Sequence, residues 1–259
     1  MATYLDRILA AHRLNGAADS RSLDRLLDAA QQCASSVRGF RAALEAVDGL
    51  AVIAEIKRRS PSKGDLRADL VADVLAKEYA GGGATCLSVL TDVEFFGGSA
   101  ADLMDARAAT RLPVLRKDFT VGPADVCDAR LMGADAVLLI VAALSSLEVR
   151  RLAQLAAGLG LDVLVEIHDE AELDIALGAG ATVIGVNQRD LVTFQVDADR
   201  AERLASVIPP GVVRVAESGI RGPDDARRLA AAGYDAILVG ETLVTASDPA
   251  AAVAALRGR

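Results

Sequence analysis

Tryptophan is missing from this chain of 259 residues, and aromatic residues make up only 3% of it, although 52% of the sequence is hydrophobic. Cysteine is scarce and odd in number. Cys33, Cys86 and Cys127 do not fall at metal-ligand spacing, so they are expected to be free buried thiols in a reducing compartment. The two histidines, His12 and His168, are too few and too far apart in sequence for a histidine metal cluster. Long hydrophobic runs are lacking as well. The first residues show no signal-peptide core, and the uncharged stretch 136–147 is too short to span a bilayer. Excess positive charge is also absent: the formal net charge is −8, which argues against a nucleic-acid or anionic-membrane partner. These absences predict a cytoplasmic protein in which any anion site is a local gathering of basic groups.

What is present is organised around residues 51–64, AVIAEIKRRSPSKG. The first half reads as a buried strand, rich in β-branched and small apolar residues without internal Gly or Pro. Side chains on a strand alternate between faces, so Ile53, Glu55 and Lys57 share one side. Charge buried in such a strand costs several kcal/mol unless it is paired or used (~ per ion). The second half is a basic loop with turn chemistry. Together they suggest a site for a small anion, with a structural ion pair at the strand end as the competing reading.

Residues 1–50 carry helical periodicity in three places: Leu5, Ile8 and Leu9; Leu23, Leu26 and Leu27 after an Asp19-Ser20 cap signal; and Phe40, Ala43 and Leu44. The expectation is a helical extension of about 50 residues with no strand. Thereafter strand and helix patterns alternate. Strands are predicted at 52–57, 84–90, 113–118, 134–141, 162–168, 182–187, 212–217 and 236–240. Eight units of roughly 26 residues fit a (β/α)8 TIM barrel over 51–259, giving one α/β domain over 1–259. Gly83, Gly133, Gly180 and Gly233 recur about every fifty residues at predicted helix ends, where a left-handed residue stops the helix. A doubly wound open sheet is disfavoured, because no G-x-G-x-x-G follows the first strand.

In such barrels the working groups lie at the C-terminal ends of strands. Alternation turns Lys117 inward with Leu115, Glu166 with Leu164, and Glu217 with Val215, beside Glu55 and Lys57. Two lysines and three glutamates then converge on one opening. Ser218-Gly219-Ile220 and Gly240-Glu241-Thr242 read as short turns entering helices after the last two strands, the usual phosphate corner of the fold. Glu241 is expected to help through its N–H only. His168 follows Glu166 by two and reads as a turn residue at the strand end. Arg58 and Lys63 in the first loop are expected to steer an anionic substrate.

Ile53–Gly64, Phe95–Ser99, Val114–Phe119 (VLRKDF), Leu138–Val141, Val165–His168, Gly185–Leu191 and Ala216–Gly219 closely resemble the indole-3-glycerol-phosphate synthase family of tryptophan biosynthesis. The resemblance runs from about residue 4 to the C-terminus and includes the helical opening, which in that family lies against the barrel mouth. It implies conversion of 1-(2-carboxyphenylamino)-1-deoxyribulose 5-phosphate to indole-3-glycerol phosphate with loss of carbon dioxide and water. It implies a small phosphorylated partner, no metal or organic cofactor, and action as a monomer or weak homodimer. By the same resemblance Lys117 and Lys57 are acid candidates and Glu166 an acid/base. Glu55 and Glu217 orient the lysines, and Asn187 bonds a reacting oxygen. Ser60, Pro61, Phe96, Phe119, Arg189 and Ser218 position the substrate, while Lys57, Ser218, Gly219, Gly240 and Glu241 form the phosphate site. The alternative enzyme class is a Schiff-base aldolase acting on a sugar phosphate, since strand-end lysines serve that chemistry too.

Overall fold

A computed structural model describes residues 3–61, 63–190 and 192–258. Ser62 and Leu191, both within motifs quoted above, therefore lie outside the described residues, as do Met1, Ala2 and Arg259. Eight parallel strands close into a barrel: β1 (Ala51–Ile56), β2 (Cys86–Leu90), β3 (Val114–Lys117), β4 (Ala136–Ile140), β5 (Asp162–Ile167), β6 (Val183–Asn187), β7 (Val213–Glu217) and β8 (Ala236–Val239). Each strand lies within a predicted segment apart from Ala51, one residue ahead of the first. Closure is made by β1, which pairs with β8 through Ala51↔Ala236 and with β2 through Ile53↔Cys86. β1, β2, β4 and β6 are buried along their whole length, because helices cover the outside and side chains fill the inside. Gly83, Gly133, Gly180 and Gly233 all have positive φ, as the helix-end reading requires.

Alternation has a specific consequence inside. The odd-numbered strands contribute Ile53, Leu115, Leu164 and Val215 to one inward layer, each fully buried. Two residues further on, the same four strands contribute Glu55, Lys117, Glu166 and Glu217. Barrel interiors are built from such four-residue layers drawn from alternate strands. Here one layer is apolar and the layer above it is entirely ionic.

The first 50 residues do not form a single extension lying at the barrel mouth. The first helix already begins at residue 4, and three helices go to three different places. α1 (Tyr4–Ala18), started by a Thr3–Asp6 capping box, reaches the C-terminal mouth. There His12 meets Asp92, while Tyr4 packs edge-on against Phe95 and Phe194. α2 (Leu23–Gln31) packs on α6 (Pro123–Met132) along the flank; its cap is Ser22 rather than the Asp19-Ser20 pair. α3 (Phe40–Glu45) seals the opposite end, with Phe40 and Leu44 fully buried and the Arg41 N–H donating to Asp162 at the start of β5. The segment between α2 and α3 is tied to the same end, since the Arg38 N–H donates to the buried Asp135. Sequence periodicity identified these helices but carried no information on which end of the barrel each would reach.

The barrel helices α4 (Ala72–Gly81), α5 (Ala100–Ala109), α6, α7 (Ser146–Gly158), α8 (Glu170–Gly178), α9 (Arg200–Ala205), α10 (Pro223–Ala231), α11 (Glu241–Val244) and α12 (Pro249–Leu256) complete the outer ring. The basic loop after β1 holds a two-residue hairpin, Arg59–Ser60 against Gly64–Asp65, that the sequence reading treated as a plain loop. Of the three thiols, Cys86 and Cys127 are buried and Cys33 is only half-buried; all three are free.

Candidate active site

A cavity of about 490 Å³ opens at the C-terminal end of the barrel. Its wall includes every residue named from the sequence as catalytic, substrate-positioning or phosphate-binding. At its floor Lys117 Nζ donates to Glu166 Oε2 at 2.8 Å and to Glu217 Oε2 at 3.1 Å. Asn187 Nδ2 donates to the other Glu166 oxygen at 2.9 Å. A second pair lies beside the first: Lys57 Nζ sits 2.5 Å from Glu55 Oε1, with Ser88 Oγ reaching Glu55 Oε2 at 3.5 Å.

Burial alone would push Lys117 down, but the carboxylates of Glu166, Glu217 and Glu55 outweigh it and hold the amine well above the ordinary lysine range. The two glutamates on Lys117 then diverge. Burial favours the neutral form of Glu166, but Lys117, His168 and the Asn187 amide keep it below the usual carboxylate value. Glu217 is pushed up to about 7 by burial, Lys117 opposing and the charges of Glu166 and Glu55 adding to the rise. Its Oε1 is buried and finds no hydrogen-bond partner among the described residues.

Two glycines make room for this floor. A β-carbon at Gly185 on β6 would collide with Glu217 Oε1, and one at Gly240 would collide with Glu55 Oε1 and press on Lys57 Nζ at 3.1 Å. Gly240 was named for the phosphate site; Gly185 was quoted only within a motif. A glycine facing an ionic layer from the neighbouring strand is the signal that would have found it.

The apolar wall is made by Phe96 and Phe119, whose ring centroids lie 6.2 Å apart. Arg189 is anchored at its backbone, its N–H donating to Asn187 Oδ1 at 3.0 Å, while its guanidinium donates to the Phe194 carbonyl at 3.1 Å. Ser60 Oγ is buried and unpartnered among the described residues. Sequence reasoning missed two residues behind this wall. Asp92 accepts from the N–H groups of Phe95 and Phe96 at 2.6 and 3.0 Å, and its other oxygen meets His12 Nε2 at 2.9 Å. Phe119 lies against the His12 ring. His12, Asp92 and Asp118 thus approach one another closely. Their oxygens are already taken by loop N–H groups, Thr91 and Arg116, so the cluster fastens α1 and two loops around the aromatic wall.

The phosphate corner departs in part from expectation. Gly240 caps the short helix α11 as read, but Ser218-Gly219 does not enter a helix directly, since α10 begins only at Pro223. Ser218 and Gly219 instead form a left-handed turn with φ of 67° and 73°. Val196 presses on Gly219 at the position a β-carbon would occupy, and Gln188 Nε2 holds the Ser218 carbonyl at 2.8 Å. Thr242 Oγ1 donates to the Ile220 carbonyl at 2.7 Å, linking the two turns. The Glu241 side chain reaches Lys63 at 3.6 Å across the opening. Arg58, expected to steer an anion, is instead committed to Asp102 at 2.5 and 2.7 Å and to two backbone carbonyls.

A family model described as indole-3-glycerol phosphate synthase matches residues 5–256. The chain is 52% identical over 225 residues to indole-3-glycerol phosphate synthase 2 of Streptomyces coelicolor, an alignment covering 87% of each protein. It is 49% identical over 255 residues to the indole-3-glycerol phosphate synthase of Mycobacteroides abscessus, covering 98% of this chain and 93% of that protein. Among solved structures it is similar to the thiamine phosphate pyrophosphorylase of Pyrococcus furiosus (TM-score 0.61, 19% identity, 81% of this chain and 94% of that one). That likeness concerns the barrel alone.

Proposed function

The chain belongs to the indole-3-glycerol phosphate synthase family, and from that premise we propose how its site performs the family's reaction. The substrate is 1-(2-carboxyphenylamino)-1-deoxyribulose 5-phosphate. Its phosphate is received by the Ser218-Gly219 and Gly240-Glu241 turns, with Lys57 within reach beside Gly240. Its aryl ring lies along Phe96 and Phe119, near Ser60 and Pro61, and Arg189 reads the carboxylate.

Ring closure begins when an ammonium protonates the ribulose carbonyl oxygen as the aryl carbon attacks the carbonyl carbon. Lys117 fits this role: its neighbours hold it charged, and a buried cation stabilises oxygen-centred charge more than an exposed one does. Loss of the carboxylate as carbon dioxide returns its electron pair to the ring. Dehydration then needs an acid for the leaving hydroxyl and a base for a proton. Glu166, ionised and in contact with Lys117, is the base, while Asn187 bonds a reacting oxygen. Glu55 and Glu217 orient the two amines. A positioned acid or base contributes roughly 10²–10⁴-fold.

The observation that carries this reading is Lys117 held by Glu166 and Glu217 at the floor of the cavity. The Schiff-base alternative requires a neutral amine, which this surrounding opposes. In the same proposal all 259 residues act as one domain, a cytoplasmic enzyme working as a monomer or weak homodimer. Within it, α1 serves the aromatic wall of the mouth. The test is to add the carboxyphenylamino ribulose phosphate to purified protein, with chelator present, and follow indole fluorescence. A flat trace from folded protein would overturn it, as would borohydride trapping of a sugar phosphate on Lys57 or Lys117.

A further inference from the structure

Glu166 and Glu217 reach the same ammonium from β5 and β7, yet among the described residues only Glu166 has a histidine beside it. His168, which follows β5, places its buried Nε2 3.8 Å from Glu166 Oε1, and that nitrogen has no hydrogen-bond partner among the described residues. Its Nδ1 lies 3.0 Å from Glu172 Oε2 on α8, an oxygen that also accepts the His168 backbone N–H at 2.6 Å. On the far side Arg200 of α9 donates to the Asn187 carbonyl at 2.9 Å and opposes the histidine's charge.

Of the ring's two carboxylate contacts, one is a hydrogen bond, to Glu172, and the other is a longer charge contact, to Glu166. A neutral imidazole protonated at Nδ1 would aim a lone pair at Glu166, and one protonated at Nε2 would aim a lone pair at Glu172. Only the doubly protonated ring both donates to Glu172 and turns an N–H, at ion-pair distance, toward Glu166. We infer that His168, held as an imidazolium between Glu166 and Glu172, is a positioning residue that keeps the negative charge on Glu166 and leaves Glu217 as the proton-carrying partner of Lys117. The inference rests on the acid–base role given to Glu166 above. Directions of titration agree with the geometry. Burial lowers His168, but the hydrogen bond to Glu172 and the charges of Glu166 and Glu172 raise it overall. Glu217, which shares Lys117 but has no second basic partner among the described residues, is the one of the two that is raised. Paired groups whose surroundings separate their proton affinities divide acid from base work.

Two variants and one spectroscopic measurement test this. The acidic limb of kcat against pH, where Glu166 takes up its proton, is expected to move up by about one pH unit in His168→Gln. Glu172→Gln leaves the cavity wall intact and is expected to move it part of the way, with KM little changed in both. Coincident limbs in all three active proteins would overturn the inference. Because the chain has only two histidines, nitrogen-15 resonances of the rings can be assigned by comparison with His168→Gln. The His168 ring is expected to be doubly protonated at pH 7, its midpoint falling by about one unit in Glu166→Gln. A singly protonated ring at pH 7, or an unmoved midpoint, would overturn it. A wild type that makes no indole product would remove the functional reading, while the nitrogen measurement still decides the state of His168.

Discussion

The two lysines of the cavity make an instructive comparison. Both belong to the same ionic mouth and are similarly shielded, with side chains 14% and 16% exposed for Lys117 and Lys57. Lys117 is held by two carboxylates from different strands, whereas Lys57 is held by one, from its own strand segment. An amine fixed from two directions has a defined position and a reliable charge. An amine fixed from one direction can turn toward a ligand, and Lys57 stands beside Gly240 at the phosphate corner. The number of restraints, rather than the depth of burial, is what distinguishes the two lysines, and it matches the proton-donor role proposed for Lys117 and the shared role proposed for Lys57.

The sharpest way to break the comparison is Lys117→Ala, which is expected to lower kcat by roughly 10³-fold or more while the fold persists. Equal turnover in wild type and variant would remove Lys117 from the chemistry. Lys57→Ala should cost less in kcat, about 10²-fold, and should raise KM as well. A pure kcat effect would make the two lysines alike after all. Gly185→Ala tests whether the restraint on Lys117 depends on space behind Glu217. The added methyl is expected to lower stability by about 1–3 kcal/mol in denaturant titration and to reduce kcat, leaving Lys57-dependent binding unaffected. Arg189→Ala should raise KM by about tenfold for the full substrate and less for one lacking the anthranilate carboxylate. An equal rise for both would show that Arg189 does not read that group.

The smallest effect is one of slope. Glu217 binds its proton more tightly when folded than when unfolded, so between about pH 4.5 and about 7 the native state carries the extra proton. Its contribution to stability is therefore present at the acidic end of that window and is lost as pH rises through it. Thermal midpoints of Glu217→Gln, which cannot ionise, should lack this decline; parallel curves for wild type and variant would reject it.

Much of this arrangement was legible in the sequence, because period-two alternation and strand-end position are local properties. Eight apolar segments, six of them leading into polar residues, were enough to place Glu55, Lys57, Lys117, Glu166 and Glu217 on one rim. Contacts between distant segments were not legible. No periodicity couples His12 to Asp92, eighty positions away, and no spacing shows that Arg58 would turn to Asp102 instead of solvent. The left-handed turn at Ser218 was hidden for a different reason: a serine at φ 67° goes against its intrinsic preference and is imposed by the packing around it. The fate of the first 50 residues was undetermined because three amphipathic helices can cover any apolar surface the barrel leaves open, and only tertiary contact selects among them.

The plug formed by α3 has a consequence for traffic. With Phe40 and Leu44 stopping one end and an apolar layer beneath the ionic one, the described residues leave the cylinder open at its C-terminal mouth. A bulky sugar ester must enter, and a gas, a water molecule and the finished heterocycle must leave, by the route that α1 borders. The His12–Asp92 bond fastens α1 to the frame of that mouth, away from the Lys117, Glu166 and Glu217 cluster at the floor.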